Sequence, residues 1–590
     1  MGVRLSNTAV AIQDGYNPFE ARQQDWIADT TAKWPARWKR DAIAKHGQLC
    51  ATKGHVAANQ WLLDFADKIA ACKIAPNASD AEITDIATKQ AKRANSRAAR
   101  WAPLGLAEAR REIDKLCATW GIQPPAPGIP DSGAVARMTD TFWWRRKLRR
   151  EQGREREVIA IALGYVQKKR DIYISAESFA AEQHKARRNA DILKGTEAIS
   201  EDGEIVCLSE LAEHSLSNPT LRRGEMMVRI KGYEDVSRER GHAGLFITLT
   251  CPSRMHARLA STGASNPAYD GTTPRQAQAY LCNLWEDIRS SFKNRYTEVY
   301  GLRIAEAHHD GTPHWHMLLF VSPLHLDAVK NTIRRYALAD SPDEAGAQQY
   351  RVKFENIDPL KGSAVQYVAK YIGKNVDGTG IDLDENGLPA AESLARVTAW
   401  ARLHGIRQFQ FIGGPPVGLW REIRRIKEPV IADAPEAIGN AWRAAQKVEN
   451  RQADYAGLIR AVGGPTVKRA EQAIQLATTS DERPGRYGWQ TMVKSVGVFH
   501  LDKPRRVYAS ERKVWQIRMR VGDFGRRFAG DPAAAHRPWT RVNNCAGHAA
   551  QGFAGDQLRP MVGNVIPFPG PGPASPPGQT GSQHSSREPM

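Results

Sequence analysis

An α+β fold, a central antiparallel sheet with flanking helices, is what residues 220–430 predict. A mostly helical N-terminal region precedes it, and a helical, basic C-terminal region follows. Three observations carry this expectation. Strand-like and helix-like runs alternate between 244 and 427, so the strands pair into a sheet that helices cover. Asp310-Gly311 joins two strand-like runs, 302–307 and 315–321, which makes them an antiparallel hairpin. Ser363-Ala364-Val365-Gln366 has the spacing of a capping box and opens a helix just beyond it.

At 590 residues the chain exceeds one hydrophobic core and divides into three or four units. The expected regions are a helical 1–123, a linker with basic DNA-contacting helix at 124–219, the sheet domain at 220–430, an accessory helical and basic region at 431–560, and a disordered tail at 561–590. No run reaches the ~18–20 apolar residues of a membrane span, and no secretory signal opens the chain, so no membrane partner is expected. Seven scattered cysteines without a Cys-x-x-Cys pair argue against a zinc ribbon or a disulfide framework, and free thiols fit a reducing cytoplasm. The net charge of +19 points to an acidic polymer as partner.

In the first region, 81–101 and 106–120 have helical periodicity. Trp26, Trp34, Trp38 and Trp61 lie among basic and apolar residues and read as helix-bundle core rather than base-stacking platforms. Pro124-Pro125-Ala126-Pro127-Gly128-Ile129-Pro130 breaks the chain. Between Phe142 and Arg170, ten basic residues face three acidic ones, and Arg145, Arg146, Lys147, Arg149 and Arg150 follow directly on Phe142-Trp143-Trp144. Arg-Glu alternation near 150–157 suits a solvated helix face, while the excess of Arg beside aromatics favours nucleic-acid contact. A further helical run covers 176–193.

The sheet domain is expected to hold strands at 244–250, 302–308, 314–321, 350–357 and 406–412, and helices at 273–296, 323–337, 363–373, 389–404 and 417–427. Strand side chains alternate, so His314 and His316 share one face, opposite Trp315 and Met317. Glu306 and His308 are expected across from the two histidines, with Glu306 in reach of any metal they hold. His308 is a possible substitute ligand, and His309 is a turn residue. Two imidazoles and a carboxylate leave positions open for substrate on a divalent ion. The same pattern also suits polar histidines on the wet face of a sheet; the upstream Glu on the paired strand argues for the metal.

The helix opened by Ser363 is expected to end at Gly373. Tyr367 and Tyr371 are four apart and stack on one face, with Lys370 and Lys374 on a neighbouring stripe. A phenol titrates near pKa ~10, so a nucleophilic tyrosine benefits from adjacent positive charge, and lysine also holds a phosphate in position.

His-Trp-His after a hairpin turn, followed by Tyr-Val-Ala-Lys-Tyr, resembles the HUH endonucleases that start rolling-circle replication, in particular the phage gene A-type initiators with two tyrosines. Leu245-Phe246-Ile247-Thr248-Leu249-Thr250 before Cys251-Pro252-Ser253 resembles their first motif, and Gly414-Pro415-Pro416-Val417-Gly418-Leu419-Trp420-Arg421-Glu422 the segment that closes the nuclease region. The resemblance spans about Thr220 to Lys427. It implies an HUH nuclease core with His314, His316 and the acidic Glu306 as ligands of Mg²⁺ or Mn²⁺, and Tyr367 and Tyr371 as nucleophiles. One tyrosine would attack origin DNA that is single-stranded or locally melted, retain a 5′-phosphotyrosine and release a 3′-hydroxyl primer. The second would cut the regenerated site. No Gly-x-x-x-x-Gly-Lys-Ser/Thr segment occurs, so strand separation is expected from a host helicase and the host replication machinery, in the cytoplasm of the bacterial cell. A plasmid relaxase or a transposase of the same group, and a non-catalytic basic DNA-binding protein, are the competing readings.

Beyond Lys427, 441–462 and 467–478 are expected to be helical. From Asp502 to Arg541, eleven basic residues face four acidic ones, interleaved with Tyr508, Trp515 and Phe524, either a second DNA surface or a basic tail. After Met561, Pro, Gly and Ser dominate, leaving too little apolar surface to order the chain.

Overall fold

A five-stranded antiparallel sheet carries the candidate site. The computed structural model describes residues 18–520 except 296, 359, 361, 381 and 449–451. The expectations for the basic stretch beyond 520 and for the 561–590 tail therefore lie outside the described residues. Two compact units are resolved. One takes the described residues through Gly413 together with Glu482–Thr491 and those from Lys513; the other takes Gly414–Asp481 and Met492–Arg512.

In the first unit the sheet strands are β1 (Ala243–Leu249), β2 (Val299–Ala307), β3 (Pro313–Val321), β4 (Val352–Asn356) and β5 (Phe409–Ile412), in spatial order β4-β1-β3-β2-β5. All neighbouring pairs are antiparallel. The alternation read from sequence holds. Trp315 and Met317 enter a core with Leu245, Ile247, Leu249 and Ala305, covered by helices α2 (Pro274–Asn294), α3 (Leu326–Ala337) and α5 (Ala390–His404). On the opposite face, α1 (Pro219–Glu239) sets Tyr233 against Tyr300 and Phe411. The tyrosine helix α4 (Ala364–Val376) packs against α1 and is tied to it where the Ala364 amide donates to Glu234 Oε1 at 2.8 Å.

Gly301 makes the central pairing possible. Its φ is +152°, and a Cβ built there would lie 1.9 Å from the Leu318 carbonyl oxygen. Only glycine lets the two backbones approach this closely.

The N-terminal helices form two packed groups. Trp34 and Trp38 are buried with Leu62, Phe65 and Ile159, while Trp26 and Trp61 pack partly buried against them, so these tryptophans are core. Asp80–Trp101, Leu106–Thr119 and Asp131–Met138 pack with the basic helix Thr141–Ala162, burying Trp143, Trp144 and Leu148. That helix stops at Ala162, so Lys168, Lys169 and Arg170 lie beyond it.

Three expectations are corrected. Residues 467–478 are not helical: after a 3-10 turn at Arg469–Glu471, the strand Ile474–Gly485 pairs within a sheet completed by Gly488–His500 and Lys503–Ala509. Its Ala, Gln and Leu content favours helix locally, and cross-strand pairing overrides that weak preference. The run 441–462 is two helices, Glu436–Ala445 and Tyr455–Ala461. The tyrosine helix continues past Gly373 to Val376, because Lys374 and Asn375 are held by bonds to the sheet; it stops at Gly378, whose φ of +77° admits the reversal. Trp515–Met519 also pairs with Thr196–Ser200, a strand more than 300 residues earlier.

Candidate metal centre and tyrosine helix

The hairpin turns through His308 to Thr312, where the His308 amide donates to the Thr312 carbonyl at 2.8 Å. Glu306 therefore faces His314, and Ile304 faces His316. His308, expected opposite one of the two histidines, instead lies next to the turn with its ring 4.1 Å from that of His314. A register change of two residues keeps every side chain on its face, so Glu306 still joins both histidines.

His314 and His316 bring their Nε2 atoms to 3.0 Å, and Glu306 Oε2 lies 3.8 Å from His316 Nε2. One ligand atom from each of the three side chains falls within 4.8 Å of the others, and all three residues are buried. Burial, then neighbouring positive charge, lowers His316 to about 3 and His314 well below its ordinary value, so both imidazoles are neutral with lone pairs available. Two ligand atoms held at right angles on an ion at ~2.1 Å stand ~3.0 Å apart, which matches the two Nε2 atoms. The donor set and the spacing fit a divalent cation. Thr248 Oγ1 on β1 contacts His316 Nδ1 at 3.1 Å and fixes that ring; His314 Nδ1 is buried without a hydrogen-bond partner.

The tyrosine helix lies beside this group. Tyr371 stacks on Phe246 with ring centroids 5.3 Å apart and packs at a tilt against His316 at 4.3 Å; Phe246 in turn lies 5.6 Å from His316. Burial, then the charges of Glu306, Glu355 and Glu385, push the Tyr371 phenol up to about 12. Tyr367 is half-buried one turn earlier on the same helix. Lys370 is exposed, with Nζ 4.9 Å from the Tyr371 ring centroid.

Lys374 differs from its expected place beside a phosphate. It is buried, its Nζ lies 3.1 Å from Glu306 Oε2, and it also contacts Glu385. Although burial opposes its charge, Glu306 and Glu385 raise its pKa and keep it an ammonium. Asn375, not anticipated from the sequence, donates to Glu306 Oε1 and to the Tyr371 carbonyl. Its position four residues after Tyr371 was the available signal, masked by ending the helix at Gly373. Also unforeseen is His256, whose Nδ1 contacts the buried Asp310 at 3.2 Å and whose ring meets His308 edge-on.

Of the five basic residues on Thr141–Ala162 expected to contact DNA, Arg145 and Arg149 both bind Asp80, and Lys147 donates to the Gln123 carbonyl at 3.0 Å. Arg146 and Arg150 are exposed. The Gly414–Glu422 segment opens the second unit, where Trp420 and Glu422 are buried and Glu422 binds Ser510 and Arg512. Among the described residues no helix is long and apolar enough to cross a membrane, and six cysteines are free.

Residues 123–379 match the family described as bacteriophage replication gene A protein (GPA). The chain is 36% identical over 439 residues to the probable replication protein P12 of Pseudoalteromonas phage PM2, covering 73% of this chain and 64% of that one. It is 38% identical to the replication gene A protein of Escherichia phage 186, covering 72% and 62%. It is 34% identical to a probable replication endonuclease from a prophage-like region of Salmonella typhimurium, covering 71% and 52%. The chain thus spans less than two thirds of the length of these relatives. No solved structure matches it.

Proposed function

We propose, on the premise that residues 123–379 of this chain belong to the bacteriophage replication gene A protein family, that the protein is a site-specific DNA endonuclease and strand transferase. It nicks one strand of a phage origin through a tyrosine and so starts rolling-circle replication. One observation carries the reading: the Tyr371 ring packs 4.3 Å from the imidazole of His316, a member of the Glu306, His314, His316 group. A phenol beside such a group suits transesterification of a phosphodiester, and DNA binding alone requires no such pairing.

Glu306, His314 and His316 would hold Mg²⁺ or Mn²⁺, which when bound supplies charge stabilisation at a non-bridging phosphate oxygen. The Tyr371 oxygen, giving up its proton to solvent, bonds to phosphorus as the bond to the 3′ oxygen breaks. That oxygen takes up a proton and departs as a 3′-hydroxyl able to prime synthesis. The phosphotyrosine ester conserves the bond energy, so rejoining needs no nucleotide. Tyr367, one turn away, cuts the regenerated site while the first ester is resolved. Lys370, exposed over the Tyr371 ring, steadies the entering phosphate. Arg146 and Arg150 contact the DNA backbone, while Arg145 and Arg149 brace their helix through Asp80. The substrate is single-stranded or locally melted origin DNA, opened by a host helicase in the cytoplasm of the bacterial cell, where the host replication machinery extends the primer.

The test is a covalent-adduct assay on a denaturing gel, with the full chain, single-stranded origin DNA and Mn²⁺. An adduct that EDTA abolishes, that His314→Ala with His316→Ala removes, and that Tyr367→Phe with Tyr371→Phe removes, supports the reading. An adduct persisting in the double tyrosine variant rejects the nucleophiles. Mapping the nick to a phage origin separates an initiator from a relaxase or transposase.

A further inference from the structure

We infer that Lys374 is a resident cation of the metal centre, its ammonium holding Glu306 until a divalent ion binds and then passing to Glu385. The inference rests on the reading that Glu306, His314 and His316 bind such an ion. Glu306 Oε2 is the oxygen nearest His316 Nε2, at 3.8 Å, and it is the same oxygen that Lys374 Nζ approaches at 3.1 Å. The other oxygen of Glu306 is occupied by the Asn375 amide. Both acceptors of the carboxylate are therefore engaged, in a place where its side chain is 3% and that of Lys374 8% exposed.

A cation entering between the histidines must take the oxygen that the ammonium holds. Two positive charges on one buried carboxylate oxygen repel strongly where water does not screen them. Asn375 is neutral and anchored to the Tyr371 carbonyl and to Gln408 as well, so it has no cause to leave. Lys374 has somewhere to go. Glu385, on the loop after the helix, already touches the same Nζ with a side chain that is 57% exposed. Exchange at Glu306 thus leaves the ammonium paired and never strands a buried charge. Before metal arrives, the pairing keeps Glu306 aimed at the histidines, at the expense of affinity. Lys374 is in this role a positioning residue rather than a catalytic one.

The experiment is Mn²⁺ titration of the full chain without DNA, read from the electron paramagnetic resonance signal of the free ion. Lys374→Met is expected to bind Mn²⁺ about tenfold tighter than wild type, Glu385→Gln about threefold weaker, and Lys374→Arg within about twofold of wild type. Plain field effects of the two charges would add. The exchange instead requires that Glu385→Gln have no effect once Lys374 is Met, because Glu385 acts only by receiving the ammonium. Equal or weaker binding by Lys374→Met overturns the inference, and so does the same loosening by Glu385→Gln in both backgrounds. Glu385→Gln alters an exposed side chain and reads out even where Lys374→Met does not fold; unchanged affinity in that variant also overturns it. Wild-type affinity in His314→Ala with His316→Ala rejects the metal reading itself, a result distinct from either.

Discussion

Replacing Asn375 by Ala removes one of the two links, beside Lys374, between Glu306 of the sheet and the last turn of the tyrosine helix. The amide is buried, donates to Glu306 Oε1 and to the Tyr371 carbonyl at 2.7 Å, and accepts from Gln408 Nε2 at 3.1 Å. The bond to the carboxylate is charge-assisted and contributes about 2 kcal/mol, and each neutral bond about 1 kcal/mol. Some recovery by rearrangement leaves a net loss of about 3 kcal/mol, or about two orders of magnitude in the opening equilibrium. Native-state hydrogen exchange, followed by mass spectrometry, measures this locally in a chain of more than one unit. Protection of the peptide covering 364–376 should fall about a hundredfold, while that of the Asp80–Trp101 helix is unchanged. Adduct formation should fall with it, because Tyr371 loses its fixed place over His316. Exchange changed by less than about threefold would refute the reasoning, since it would mean that Asn375 does not anchor the helix.

Gly301→Ala puts a methyl group 1.9 Å from the Leu318 carbonyl, against main chain that cannot swing aside, so it should lose most folded yield and any Mn²⁺ binding; a folded variant with wild-type melting temperature would contradict this. Acid should loosen the segment around Arg254. Hydrogen bonding from Arg254 holds the Asp340 carboxylate below its ordinary pKa, so its stabilisation is complete above the unfolded value near ~4 and is lost as pH falls through the folded value. Asp340→Asn should flatten the acid limb of a stability-against-pH curve; an unchanged limb would remove Asp340 from the account.

The parts of the site legible in the sequence are those fixed by neighbours along the chain. Strand alternation alone sets His314 and His316 on one face with Trp315 on the other, and the Asp310-Gly311 turn brings Glu306 to them. An error of two in the register left the ligand set intact because the period of a strand is two. The start of the tyrosine helix was equally local, since the Ser363 hydroxyl accepts from the Gln366 amide and the Gln366 side chain accepts from the Ser363 amide.

What the chain's order of residues settled, then, is which side chains share a face and where helices begin, because those follow from backbone geometry within a few residues. Only the folded arrangement decided where the tyrosine helix stops, that Lys374 serves Glu306 rather than lying open beside the tyrosines, and that residues 474–485 are strand. The helix end and the lysine depend on Glu306, more than 60 residues earlier in the sequence, and the strand on its hairpin partner Gly488–His500, whose pairing the helix-favouring composition of 474–478 conceals. Contacts of that kind outweigh local propensities of a few tenths of a kcal/mol per residue, and no short window of sequence contains both Glu306 and the end of the tyrosine helix.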